Sequence, residues 1–110
     1  MNYEVLILPE AEGDLFTIYR YVAERDSKGN AESLLTMLEK KCSALNAHPE
    51  RGHGVSELRR VYVTGFKEIH FKPYRIIYQI DGERVYIHAI LDGRRELQEL
   101  LENRLIRFDG

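Results

Sequence analysis

The spacing of hydrophobic and polar positions changes along the chain and predicts where helices give way to strands. Apolar residues stand on both sides of the alternation from Tyr3 to Leu8, which is typical of a strand covered on two faces. Pro9 ends this run and suits the first turn of a helix. That helix has a single apolar stripe, which consists of Ala11, Leu15, Ile18 and Val22.

A second helix is predicted after Gly29, again with one apolar seam. The seam consists of Ala31, Leu35, Leu38, Cys42 and Leu45. His48 and Pro49 end this helix, and Glu50 to Gly54 is predicted to be a loop. Because Cys42 lies on the seam, we interpret it as a packing residue rather than a reactive one.

The carboxyl half changes to strand-forming runs rich in Ile, Val, Tyr and Phe. These runs are Lys67–Lys72, Tyr74–Ile80 and Arg84–Leu91. The Asp81-Gly82 pair between the last two is a strong signal for a short hairpin. Leucines at helical spacing then predict a final helix from roughly Arg95 to Arg107, with Asp92 as its amino cap.

This order predicts one α+β domain over residues 1–110. It comprises an amino-terminal strand, a two-helix hairpin, a three-stranded antiparallel meander and a carboxyl-terminal helix. We expect one antiparallel sheet, with the first strand at or near an edge and the two long helices on its apolar face.

A two-residue turn at Asp81-Gly82 fixes which residues face each other in the hairpin. It pairs Ile80 with Glu83, Gln79 with Arg84, Ile77 with Tyr86 and Arg75 with His88. The residues predicted to be buried under the helices are Tyr74, Ile76, Tyr78, Ile80, Val85, Ile87, Ala89 and Leu91. A similar turn at Lys72-Pro73 places His70 opposite Arg75 and Glu68 opposite Ile77.

The other face then carries a polar patch of Glu68, His70, Arg75, Tyr86 and His88. Metal-independent RNA cleavage needs a base, a cation for the phosphate and an acid, which Glu68, Arg75 and His88 supply. The competing interpretation is an ordinary solvated sheet face. A metal site is disfavoured, because Glu68 alone is available as a third ligand beside His70 and His88.

Charge and composition narrow the functional classes. The net charge is −2, but residues 1–57 carry ten acids and six bases, whereas residues 58–110 carry eight acids and ten bases. The basic half can attract an anion without being a nucleic-acid coat. The single cysteine, the acidic amino end and the lack of a long apolar run favour a cytoplasmic protein without a signal or membrane span.

Four segments in this order resemble the ParE/RelE superfamily of type II toxin-antitoxin toxins, also known as the plasmid stabilisation family. They are Pro9–Leu15, His48–Gly52, Tyr74–Tyr78 and Asp92–Arg95. The resemblance implies a toxin that arrests growth until a cognate antitoxin wraps it in a hetero-oligomer, without a cofactor. RelE-like members cut messenger RNA on the ribosome, whereas ParE-like members poison DNA gyrase without being enzymes.

Within this resemblance, Arg75 matches the strand arginine that ribosome-dependent members use on the phosphate. Those members place a Tyr or His just after the last strand, and Asp92 to Glu96 offers neither. This departure and the negative net charge favour the ParE-like, gyrase-directed side, with Arg75, Arg94 and Arg95 as candidate target contacts. Tyr19 and Tyr21, which flank the first helical stripe, are candidate antitoxin contacts.

Overall fold

The computed structural model describes residues 2–108. Its strands are β1 (Glu4–Ile7), β2 (His53–Gly54), β3 (Phe66–Phe71), β4 (Tyr74–Asp81) and β5 (Arg84–Asp92). Its helices are α1 (Pro9–Arg25), α2 (Lys28–Ser43), α3 (Ser56–Arg59) and α4 (Gln98–Leu105), and short 3₁₀ turns occupy Ala44–Asn46, Pro49–Arg51 and Ile106–Phe108. No helix within residues 2–108 is long and apolar enough to span a membrane.

The sheet has the strand order β1-β5-β4-β3-β2. This arrangement confirms the α+β class, the antiparallel meander of β3, β4 and β5, and the edge position of β1. The expectation of a wholly antiparallel sheet was wrong, because β1 runs parallel to β5 from Glu4 opposite Arg84 to Ile7 opposite Ile87. The two-residue β2 and the single turn of α3 were not predicted, since elements this short show no hydrophobic period.

Helices cover both faces of the sheet, which divides the buried side chains into two clusters. The α1–α2 face buries Ala11, Leu15, Leu38, Cys42, Ile76, Tyr78, Val85, Ile87 and Ile90. The opposite face packs against α3 and α4 through Val55, Leu58, Ile77, Ala89, Leu91, Leu97, Leu101 and Leu105. The prediction that Ala89 and Leu91 lie under the amino-terminal helices was therefore wrong, while the packing role of Cys42 is confirmed.

The predicted register of the β4–β5 hairpin was also wrong. Asp81 pairs with Arg84, so the turn residues are Gly82 and Glu83, and Gly82 has a φ of +60°. A β-bulge follows, because Tyr78 pairs with Ile87 whereas Ile77 pairs with Ala89, which leaves His88 as the extra residue. The shifted turn and the bulge together place Arg75 opposite Leu91 instead of His88.

The turn between β3 and β4 has the two residues predicted from the sequence, Lys72 and Pro73. Its Lys72-Pro73 peptide is cis, and Phe71 faces Tyr74 across it. His70 lies opposite Arg75 and Glu68 opposite Ile77, as predicted. This half of the polar patch therefore has the expected register.

Two helix boundaries differ from the predicted ones. Ser27 caps α2 by accepting a hydrogen bond from the Asn30 amide at 3.0 Å, so the helix begins before Gly29. The α4 helix begins only at Gln98, with Leu97 at the cap position. Asp92 does not cap it, because its carboxylate accepts hydrogen bonds from the backbone and side chain of Arg94.

The end of α3 carries a tyrosine where helices usually place glycine. Val63 N–H donates to the Leu58 carbonyl and Tyr62 N–H donates to the Arg59 carbonyl, at 2.9 and 3.0 Å. These are the two hydrogen bonds of a Schellman motif, whose apolar contact joins Leu58 and Val63. Tyr62 therefore adopts a φ of +62°, which costs an L-residue about 1–2 kcal/mol.

The loop before β2 depends on a close approach at Gly52. Its N–H donates to the Tyr78 hydroxyl at 3.1 Å, and that hydroxyl donates to the Pro49 carbonyl at 2.5 Å. A Cβ on residue 52 would lie 2.3 Å from the hydroxyl and 2.7 Å from the Glu68 carbonyl oxygen. Because the second atom belongs to the backbone, a side chain cannot be accommodated by a simple rotamer change.

We therefore expect Gly52→Ala to lower the free energy of unfolding by roughly 2–3 kcal/mol, in the upper range of overpacking effects. Gly13→Ala is the matched control, because Gly13 lies within α1 and a Cβ there meets nothing within 4 Å. That control should be stabilised by roughly 0.5–1 kcal/mol. Urea unfolding measures both, and a Gly52→Ala protein as stable as the parent would contradict the close approach.

Candidate functional site

Arg75 is the centre of a charged cluster on the α3–α4 face of the sheet. Its guanidinium donates to both oxygens of Glu68, at 2.7 and 2.8 Å. It also donates to both oxygens of Glu57 on α3, each at 2.7 Å. Four hydrogen bonds thus hold a side chain that is only 13% exposed. The planar guanidinium suits this double bidentate pairing.

The cluster has a net negative charge, because two carboxylates surround one guanidinium. Hydrogen bonds from Arg75 lower the pKa of Glu57 to about 2. Burial raises the pKa of Glu68, but hydrogen bonds from Arg75 and His70 outweigh it and leave that pKa below its ordinary value. Both carboxyl groups are therefore ionised at neutral pH, and Arg75 is already neutralised.

His70 extends the cluster toward the surface. Its Nε2 lies 2.8 Å from a Glu68 carboxylate oxygen, and its ring meets the His53 ring edge-on at 5.1 Å between centroids. Glu68, His70 and Arg75 are therefore brought together as the sequence indicates. Within residues 2–108, no group of three or more His, Cys, Asp or Glu side chains is arranged to hold a metal ion.

His88 does not join this cluster. It follows Ile87 in the bulge, three residues before the Leu91 that faces Arg75, which corresponds to roughly 10 Å along the strand. Its Nε2 lies 2.8 Å from the Gln79 side-chain oxygen, and the rings of Phe66 and Phe108 enclose it. Burial, with Arg104 and Arg107 nearby, lowers its pKa to about 4. The proposed base, phosphate clamp and acid are thus not assembled.

The other predicted contacts lie at the end of the sheet where β5 leaves it. Arg94 is largely exposed and pairs with Asp92 at 2.6 Å. Arg95 and Tyr21 line a groove of about 400 Å³ between α1 and the ends of β4 and β5, together with Asp14, Thr17, Ile18, Tyr74, Ile90, Leu91 and Asp92. Tyr19 is half-buried and does not line this groove.

Asp14 and Arg104 protect the part of the β5 edge that extends beyond β1. The Ile90 N–H donates to one Asp14 oxygen at 2.9 Å, and Arg104 donates to the other at 3.0 Å. Arg104 also donates to the His88 carbonyl at 2.6 Å. Side chains here replace the strand that would otherwise pair with β5.

The organising roles of Glu57, Asp14 and Arg104 were not predicted from the sequence. Glu57 lies in a four-residue helix, and its contact with Arg75 joins positions far apart in the chain. Asp14 and Arg104 look like ordinary charges on the polar sides of two helices. A weak signal did exist for Asp14, because it falls between the apolar positions Ala11 and Leu15 of the α1 stripe.

The lowered pKa values predict two separate windows of acid destabilisation. His88 is neutral in the fold, so its contribution is present above pH 6.5 and is lost as the pH falls toward about 4. The Glu57 contribution is present above pH 4.5 and is lost as the pH falls toward about 2. We expect His88→Leu to reduce the pH dependence of the free energy of unfolding between pH 6.5 and about 4, and Glu57→Gln to reduce it between pH 4.5 and about 2. Urea unfolding at each pH measures both. Exposed His48→Gln is the control, and an unchanged slope in either variant would contradict the assignment.

Comparisons with known proteins agree with this architecture. Residues 5–97 match the family model for the ParE toxin of the type II toxin-antitoxin system parDE. Toxin ParE3 of Caulobacter vibrioides is 35% identical over 85 residues, which are 77% of this chain and 81% of that protein.

Two solved structures share the fold at 17% identity. The chromosomal ParDE toxin-antitoxin system from P. aeruginosa matches with a TM-score of 0.67, over 80% of this chain and 92% of that chain. A double mutant of E. coli toxin RelE in the free state matches with a TM-score of 0.65, over 97% and 98%. The fold is thus shared by ParE and RelE proteins, whereas the sequence matches point to ParE. The chain belongs to the ParE toxin family of type II toxin-antitoxin systems.

Proposed function

We propose that this toxin arrests growth by binding DNA gyrase and trapping it on cleaved DNA, without catalysing a reaction of its own. The observation that carries the proposal is the closure of Arg75 by Glu57 and Glu68. A phosphate clamp must offer its guanidinium to the substrate, and here four of its hydrogen bonds are already used inside the protein. Releasing it would leave two partly buried carboxylates without their partner, at a cost of about 3–5 kcal/mol.

The lack of a suitable proton donor also argues against RNA cleavage. With a pKa of about 4, His88 is almost wholly neutral at pH 7 and cannot serve as the acid for a leaving oxygen. It is also only 4% exposed, beneath Phe66 and Phe108. The segment Asp92–Glu96 brings no tyrosine or histidine to take over that role. The net charge of −2 gives the chain little attraction for ribosomal RNA.

Messenger RNA cleavage on the ribosome is the alternative function, because the chain shares its fold with RelE. It needs Glu68, Arg75 and His88 to act on one phosphodiester. Because Leu91 rather than His88 lies opposite Arg75, that requires a change of strand register, and Arg75 must also leave both carboxylates. Parallel assays of gyrase inhibition and of messenger RNA cleavage therefore decide between the two functions.

We also propose that a cognate antitoxin neutralises the toxin by occupying the groove between α1 and β5 in a cytoplasmic complex. The groove begins where β1 ends, next to the part of the β5 edge that Asp14 and Arg104 cover, so a peptide entering it would pack its side chains against α1 and the ends of β4 and β5. Tyr21 supplies an aromatic wall that is 54% exposed, with the Arg25 guanidinium 4.4 Å from its ring centroid. Arg95, which also lines the groove, can select an acidic residue of the peptide.

The first test compares gyrase inhibition with RNA cleavage in parallel. We expect the purified toxin to inhibit supercoiling and accumulate cleaved plasmid, and to leave ribosome-bound messenger intact. His88→Ala and Glu68→Gln should change gyrase inhibition by less than about threefold once a thermal melt confirms folding. A nuclease would instead lose about 10²–10⁴-fold with each variant. Messenger cleavage that disappears in His88→Ala, with supercoiling untouched, would overturn the proposal.

The second test addresses the groove. Tyr21→Ala should weaken antitoxin binding by at least about fivefold, because truncating a buried interface aromatic costs about 1 kcal/mol or more. Phe16→Ala is the matched control, since Phe16 is 61% exposed on α1 but does not line the groove. Isothermal titration calorimetry with the purified cognate antitoxin measures the affinity of both variants. Equal losses in the two variants would place the contact elsewhere on α1.

A further inference from the structure

Tyr62 is an exposed aromatic residue at a position where the fold requires a positive φ but does not require a tyrosine. Its side chain is 91% exposed, and its φ is +62° in the turn between α3 and β3. Glycine or asparagine would make the same turn without steric conflict. A bulky residue in this region is unusual, and backbone strain of this kind is concentrated at functional sites.

The backbone around Tyr62 is held firmly even though its ring is not. The two Schellman hydrogen bonds join Tyr62 and Val63 to the last turn of α3. Leu58 and Val63 on either side are almost wholly buried among α4 residues. The ring is therefore presented to solvent from a fixed position, which lowers the entropy lost when a partner binds it.

Two arginines precede Tyr62 in the same turn of the chain. Arg59 and Arg60 are both exposed, and neither forms an ion pair with any of residues 2–108. The Arg59 guanidinium lies beside Gly54, and Arg60 donates to the Gln98 side chain at 3.2 Å. By contrast, Arg75, Arg84 and Arg94 each have carboxylate partners. The turn thus offers one aromatic ring and two unneutralised guanidinium groups.

We propose that Tyr62, Arg59 and Arg60 form the contact with the toxin's target protein, with the ring inserted in an apolar recess bordered by carboxylates. This inference rests on the proposed mode of action, which is arrest by binding. Tyrosine and arginine are the residue types that most often dominate the energy of protein interfaces, which fits this composition. We name this surface the Tyr62 turn.

A protein surface fits the Tyr62 turn better than a nucleic acid does. Phosphate backbones are tracked by rows of free basic groups. The nearby Lys67 lies 3.5 Å from Glu50 and Arg75 is neutralised by two carboxylates, so neither of these two basic side chains extends the turn into such a row. Two charges and one ring instead suit an acidic patch with a single pocket.

The test separates the role of the ring from the stability of the turn. Tyr62→Gly should raise the Tm by roughly 4 °C, because it relieves the positive-φ strain. It should weaken gyrase binding and inhibition by about 30-fold, whereas Tyr62→Phe should stay within about threefold. Tyr62→Asn, which tolerates the turn but lacks the ring, should behave like Tyr62→Gly. The double change Arg59→Gln and Arg60→Gln should cost about tenfold at low salt, with Arg84→Gln as the control.

Growth arrest and antitoxin binding are measured for the same variants, so that the two proposals fail separately. If Tyr62→Gly loses toxicity and keeps antitoxin binding, the Tyr62 turn is the target contact. If at the same time the parent protein leaves gyrase active, only the gyrase assignment fails. A toxic Tyr62→Gly protein overturns the inference. The inference is also overturned if Tyr62→Gly stays toxic but loses antitoxin binding. It is overturned too if the toxin binds gyrase only in the presence of DNA.

Discussion

The extra residue in β5 is the constraint on which the rest of the structure depends. His88 has no partner in β4, and beyond it the strand presents Ala89 and Leu91 to α4 where a regular strand would turn them toward α1 and α2. This change gives the carboxyl-terminal helix an apolar floor on the face that already carries Arg75. The bulge also directs the Ile90 N–H toward Asp14, outside the ladder that β1 forms. One inserted position therefore influences both helical layers and the edge of β5 that Asp14 covers beside the groove.

The register of the β4–β5 hairpin explains why Glu68, Arg75 and His88 do not meet at one site. With the predicted two-residue turn at Asp81-Gly82 and no bulge, His88 would face Arg75 across the hairpin. The observed register separates them, and α3, packed on the shared face, brings Glu57 to Arg75. An arginine held by two carboxylates rigidifies the junction of β3, β4 and α3, where breaking one pair would leave buried charge uncompensated. In this chain Arg75 therefore acts as a structural cross-link between sheet and helix.

Much of the fold could be predicted from local patterns, but the site could not. Pro9 and the Ala11–Val22 stripe located α1, and the Ile- and Val-rich runs located β3, β4 and β5. Periodicity assumes an unbroken alternation, so the bulge at His88 reversed the predicted faces of Ala89 and Leu91. The contact from Glu57 to Arg75 depends on tertiary packing and has no local signature. Tyr62 broke the residue preferences of a helix end, which is why the turn was invisible in the sequence.

The two proposed surfaces lie on different sides of the sheet, and this has a consequence for neutralisation. The groove belongs to the face covered by α1, where Ile18 and Ile90 pack, whereas the Tyr62 turn projects from α3 on the α4 face. An antitoxin segment confined to the groove would leave Tyr62 uncovered. Neutralisation then requires either that the antitoxin continue around the Asp92 end of the sheet or that its bulk prevent docking. Because α3 is joined to the sheet through Glu57 and Arg75, the Tyr62 turn has little freedom to withdraw. Both routes are therefore forms of steric exclusion, and neither depends on a displacement of the turn.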